Sequence, residues 1–351
     1  MNKKMLLSTV LTLVGTVLIL SLISSVTLAF DEQDVSPTVP PAHMGINETN
    51  VSNLRNFNNM VIATVPVGNH PYGVAVNPNG TNVYVTNSND NTVSVIDTAT
   101  NNVTATINTG IGPEGIAVNP NGTRVYVTNG GSNNVSVIDT AANNVTAAVN
   151  VETSPYTVAV SPDGKKAYVT NWASNNISVI DTVNNTVIVR IPVGNSPYGV
   201  AASPDGKKLY VANYWSNSIS VYDTANSTVT TAITGLNNPY GVAISPDGKK
   251  AYVTNYGSDN VSVIDTASNT IAATVKVGYY PIGVAVNPSG TNLYVANYGS
   301  NTVSVIDTAT NNVTTAVGVG LHPYGVAVNP NGTKVYVTNS DSNTVSIINI
   351  S

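Results

Sequence analysis

Two of the chain's three histidines, His70 and His322, each stand directly before a proline, 322 − 70 = 252 residues apart. Glu114 directly follows another such proline, Pro113, at a place where other stretches carry Tyr72, Tyr156 or Tyr198. Two imidazoles and a carboxylate are a ligand set for a divalent metal if the fold brings them together. The weightier reading is that the histidines are solvated or packed on loops. A second group suits recognition. Both tryptophans, Trp172 and Trp215, lie with Tyr214, Tyr256, Tyr279, Tyr280 and Tyr298 in short stretches rich in Asn, Ser and Gly. Flat rings with polar tips among small polar residues suit contact with sugars or peptides. The competing reading is that these rings pack over neighbouring loops.

Other chemistries are poorly served. The chain has no cysteine, which excludes disulfides, thiolate zinc sites and thiol catalysis. No Ser-His-Asp set and no Cys-x-x-Cys-His haem site can be found. Charged residues make up 9% of the 351, against about a quarter in ordinary globular proteins. The formal charge is −5, with no stripe of Lys and Arg, so the electrostatic footprint of a nucleic-acid binder is missing. No cofactor is expected.

What must position the rings is a repeat. The stretch beginning Pro71-Tyr-Gly-Val-Ala-Val returns at Pro113, Pro155, Pro197, Pro239, Pro281 and Pro323, with every step equal to 42 residues (113 − 71, and so on to 323 − 281). A fixed period in this range marks a repeat architecture. In the first copy, Tyr72 to Asn77 reads as a strand of small and β-branched residues, strand A. Pro78-Asn-Gly80 is a turn, Asn82 to Asn87 is strand B, Thr92 to Asp97 strand C and Asn102 to Asn108 strand D. Four strands in about 42 residues is one propeller blade. Strand A carries Gly73, Val74 and Ala75, small enough for a crowded inner position.

The seventh copy ends on a strand C, Thr344 onwards, without a strand D. The missing strand is at the other end: Met60 to Val67 lies one period before the first strand D. The expected fold is therefore all-β, a seven-bladed propeller over residues 60–351, closed by an N-terminal strand that completes the last blade.

Before it, Lys3 and Lys4 precede an apolar stretch from Met5 to Phe30. This reads as an export signal, with Thr27-Leu-Ala29 as a cleavage site. The run is also long enough to serve as a membrane anchor through residues 5–30. Either way residues 1–30 place the rest outside the cytoplasm. If the segment is removed the formal charge becomes −5 − 2 = −7. Residues 31–59, with Pro37, Pro40 and Pro41, read as a linker.

The tetrad Tyr-Val-Thr-Asn stands at Tyr84, Tyr126, Tyr168, Tyr252 and Tyr336, and as Tyr-Val-Ala-Asn at Tyr210 and Tyr294, with Val-Ser-Val-Ile-Asp-Thr following in most copies. This closely resembles the YVTN β-propeller repeats of archaeal surface-layer proteins, from about Met60 to Ile350. The resemblance implies a seven-bladed propeller at the cell surface with a role in the envelope or in cell contact. The Gly-His and Trp-Asp marks of WD40 repeats are absent.

Comparing the copies separates two faces. The A–B and C–D turns are nearly constant, the latter opening on Asp97, Asp139, Asp181, Asp223, Asp265 and Asp307, and repetition of that kind points to turn chemistry. The D–A and B–C loops, on the opposite rim, carry the variable residues. The expected ligand-binding set is Trp172, Tyr214, Trp215, Tyr256, Tyr280, Tyr298, His70 and His322, with no catalytic or metal-binding residue. The expected role is non-enzymatic: envelope structure, adhesion or recognition of a cell-envelope glycan or surface protein. A propeller enzyme of lactonase or quinone or haem redox type is the alternative, and a soluble exported scaffold a third. Asn-x-Ser/Thr acceptors such as Asn79, Asn121 and Asn331 fall on turns where glycan would be accessible.

Overall fold

The computed structural model describes residues 58–351. The expected export segment, 1–30, and all but the end of the expected linker, 31–59, lie outside the described residues.

Among the described residues, twenty-eight strands form seven four-stranded antiparallel sheets. In blade one, strand A is Pro71–Val76, B is Asn82–Asn87, C is Thr92–Asp97 and D is Asn102–Asn108. Blades two to six repeat this order. Blade seven takes A, B and C from Pro323–Val328, Lys334–Asn339 and Thr344–Asn349, and its outer strand is Met60–Pro66. Thr64 pairs with Ser346 and Val65 with Val345, so the N-terminal strand closes the ring as the sequence predicts. The strands match their expected limits to within a residue or two.

The tetrad has a physical explanation. Strand A pairs with B at Pro71–Asn87 and again at Val74–Val85, with a bulge between them. The bulge frees the Gly73 N–H, which donates to Thr86 Oγ1 at 2.8 Å. The same hydroxyl donates onward to the carbonyl of Glu114 in the next blade at 2.7 Å. Thr128, Thr170, Thr254 and Thr338 repeat this bridge, the last reaching the Tyr72 carbonyl of blade one at 2.6 Å. A Cβ on Gly73 would stand 2.5 Å from the Glu114 carbonyl oxygen, so the close approach of inner strands requires glycine there.

The tetrad Asn holds the neighbouring strand: Asn87 Nδ2 donates to Ser94 Oγ at 2.9 Å, a bond repeated in all seven blades. The tetrad Tyr is core. Tyr84 is fully buried with Val93, Val95 and Ile107 of its own blade against Val125, Val127 and Ile138 of the next. Each of the seven core clusters spans two blades in this way. The hydrophobic driving force thus acts between blades, and a blade alone has half a core. The repeated aspartates are turn caps: Asp97 Oδ1 accepts from the backbone N–H of Ala99 and Thr100 at 3.1 and 2.8 Å.

Candidate functional site

The D–A and B–C loops share one rim, because they bond to each other: the Ser88 N–H donates to the His70 carbonyl at 3.0 Å, and Tyr298 N–H to that of Tyr280 at 3.1 Å. The residue before each strand-A proline has a positive φ in every blade, and only Gly112 among them is glycine. His70, Tyr280 and His322 sit there at φ 57, 53 and 51. A left-handed backbone disfavours bulky side chains, and such strain gathers at functional sites. It is held in place from the preceding blade: the N–H of Tyr280 donates to Asp259 Oδ1 at 2.9 Å, and that of His70 to Asn343 Oδ1 at 2.9 Å.

The expected rings meet in a band. Trp172 lies edge-on to Tyr198 with centroids 6.4 Å apart. Tyr198 contacts Tyr214 at 5.1 Å, and Tyr214 contacts Trp215 at 4.9 Å and Tyr256 at 6.0 Å. Tyr256 stacks on Tyr280 at 4.8 Å. Tyr298 lies flat on His322, 4.2 Å away at 7°. His70 meets Tyr72 edge-on at 5.2 Å. Trp215, Tyr279 and Tyr280 are exposed, at 63%, 63% and 47%; Trp172, Tyr214, Tyr256 and Tyr298 are half-buried. The face is therefore partly a packed layer and partly an open surface, which joins the two competing sequence readings.

The two histidines do come together, but not around Glu114. His322 Nδ1 lies 2.6 Å from Asp341 Oδ2 and His70 Nδ1 lies 3.5 Å from Asp341 Oδ1, at the seam between blades seven and one. Among the described residues no group of three His, Cys, Asp or Glu side chains is arranged to hold a metal ion. The metal considered from His70, His322 and Glu114 thus loses its carboxylate, because the blade geometry carries Glu114 inward.

The strand-A tyrosines recur with the repeat and are not among the expected binding residues, but they hold a larger place in the structure. Tyr72, Glu114, Tyr156, Tyr240 and Tyr324 line a central cavity of about 170 Å³, with Val74, Val200 and Val242 further along the inner strands. The hydroxyls of Tyr156, Tyr240 and Tyr324 bond to one another on the axis. Tyr198 stacks on Tyr240 at 4.4 Å and Tyr72 meets Tyr324 at 4.3 Å with the planes tilted by 51°, so the axial tyrosines connect the rim rings across the mouth of the ring. Burial pushes the Tyr72 and Tyr198 hydroxyls up to about 12 and the three axial hydroxyls well above their usual range. Burial also pushes the Glu114 carboxyl up to about 8. Its Oε2 is closed off from solvent and has no hydrogen-bond partner. A signal for this site was in the sequence: at one position of seven, Glu114 and Ile282 alone depart from tyrosine.

Residues 56–347 match the virginiamycin B lyase family, and the chain belongs to that family. Among solved structures it is similar to a chain of the hydrazine synthase of Kuenenia stuttgartiensis, with a TM-score of 0.75 and 27% identity over 80% of this chain and 95% of that one. No curated protein sequence matches it.

Proposed function

We propose that this protein is an exported, non-enzymatic recognition propeller that binds a cell-envelope glycan or a surface protein through its aromatic rim. The observation that carries the reading is the band itself. Rings from Trp172 to Tyr280 touch one after another, Tyr298 lies on His322 and His70 meets Tyr72, and the axial tyrosines Tyr240 and Tyr324 link these groups, while the opposite face is built of repeated turns. Tyr280, His322 and His70 put bulky rings at a position whose backbone is left-handed in every blade, where small residues are favoured. Exposed Trp215, Tyr279 and Tyr280 offer apolar faces with polar tips, the pairing that sugar rings and peptide side chains use. The resemblance to surface-layer repeats and the basic-then-apolar N-terminus support a place in the envelope. The test is a glycan array and cell-binding assay with the purified protein beside a Trp172→Ala/Trp215→Ala variant. Binding lost in the variant with the fold intact supports the reading; equal binding by both overturns it.

Membership of a lyase family favours a second reading, in which the face turns over a ligand. A carboxyl held protonated near neutral pH beside the cavity is a fitting proton donor, and Glu114 would be that group. Conversion of virginiamycin B by the protein, followed by chromatography and lost in Glu114→Gln, would establish it.

A further inference from the structure

We propose that the axial cavity is a binding site for an alkylammonium group, which pairs its charge with Glu114 and lies against the tyrosine rings. The inference concerns the centre of the ring and stands apart from recognition on the rim.

The cavity, at about 170 Å³, has room for roughly five or six water molecules at ~30 Å³ each, or for one small organic head group. Four of the residues that line it are tyrosines, and one is an acid. Tyrosine faces attract organic cations through the ring quadrupole, the arrangement by which aromatic cages hold ammonium groups. Three of the tyrosine tips are already occupied, since Tyr156, Tyr240 and Tyr324 satisfy one another while still bordering the cavity. Glu114 is the acid of that lining, and its Oε2 is buried without a hydrogen-bond partner. A buried acceptor without a partner is a liability unless something fills it.

Room has been made for this side chain. A Cβ on Gly130 would come within 3.0 Å of Glu114 Oε1, where blades three to six have Trp172, Tyr214, Tyr256 and Tyr298 at the same repeat position. A metal ion fits the site poorly, since divalent ions need several oxygen or nitrogen ligands and this wall has one carboxylate. An ammonium with an alkyl body matches both halves of the lining.

The groups whose charge reaches Glu114 are Tyr72 of blade one, Tyr156 of blade three, Tyr198 of blade four and Tyr324 of blade seven. All four hydroxyls titrate far above neutral pH and remain uncharged up to pH 9. In the empty cavity burial keeps Glu114 protonated up to about pH 8. A cation binds the carboxylate, so its arrival at pH 7 expels one proton into solution. Affinity should then rise about tenfold per pH unit below 8 and level off above it.

The experiment is calorimetric titration of the full chain with n-butylammonium chloride from pH 6 to 9, in buffers of different ionisation enthalpy, with n-butanol as the neutral probe. The expected result is ammonium binding that strengthens with pH, releases a proton at pH 7, and is not matched by n-butanol. Glu114→Gln and Glu114→Tyr, the second restoring the residue of five of the other six blades, should melt at or above the wild-type temperature and lose the binding. Trp215→Ala should keep it, which separates this site from the rim. Absence of ammonium binding at pH 9, binding independent of pH, equal binding by Glu114→Gln, or equal binding of n-butanol would each overturn the proposal.

Discussion

The hydroxyl of Thr86 in blade one donates to the backbone carbonyl of Glu114 in blade two at 2.7 Å, while accepting the Gly73 N–H at 2.8 Å. One side chain therefore closes a bulge in its own blade, fastens the next blade, and fixes the backbone of the one acid in the axial wall. The repeat and the site meet at this contact. The same bridge recurs wherever the tetrad has threonine, and blades four and six, with Ala212 and Ala296, do without it.

Removing the bridge should weaken the ring at a defined point. Thr86→Ala leaves the half-buried Gly73 N–H and one lone pair of the Glu114 carbonyl without their partner. Each such loss costs about 1–3 kcal/mol. Thr338→Ala, at the closing seam, should do the same. Urea unfolding that gives both variants wild-type stability would show that the bridge contributes nothing net.

The N-terminal strand should matter far more than the chain before it. Met60–Pro66 supplies the whole outer strand of blade seven and places Val65 in the core beside Val345 and Ile347. Deleting Met60 to Val67 is expected to lower the melting temperature sharply, and deleting Asp31 to Asn58 to change it little. Equal melting temperatures for the two deletions would sink the closure model.

Stability should fall as pH rises from about 4.5 to about 8. Glu114 has a folded-state pKa raised to about 8 from 4.5, so over that window the folded protein keeps a proton that the unfolded chain releases. Rising pH then favours unfolding, by a few kcal/mol in all, and the slope levels above pH 8. Glu114→Gln should remove this slope. At the acid end the sign reverses. Asp97, Asp223, Asp265 and Asp307 are held below the usual carboxylate range by backbone N–H groups, so their contribution is lost as pH falls below about 4. Denaturant titration at half-unit pH steps reads both arms.

Two aromatic layers should respond differently to truncation. Trp215 is 63% exposed, and Trp215→Ala is expected to stay within about 0.5 kcal/mol of wild type. Tyr84 is fully buried between blades, and Tyr84→Ala should cost about 3–5 kcal/mol. A large loss for Trp215→Ala would mean that the rim ring is structural, which would count against recognition.

The sequence by itself determined the period, the four strands of each blade, the turn aspartates and the closing strand. Each depends on neighbours in the chain, or on a register that repeats every 42 residues, and such patterns can be counted along a line. It also marked the rim aromatics, because they depart from the repeat. The tertiary structure decided where the repeated tyrosines lead. Tyr156 and Tyr240 are 84 residues apart and Tyr156 and Tyr324 are 168 apart, and their hydroxyls meet only because ring closure brings the inner strands to one axis. Closure also set Asp341 between His70 and His322 and turned Glu114 inward. Burial and partnership are properties of the whole assembled ring. A residue's charge state follows from them, so the single acid on the axis reads in the sequence as an exception and acquires its chemistry only in the fold.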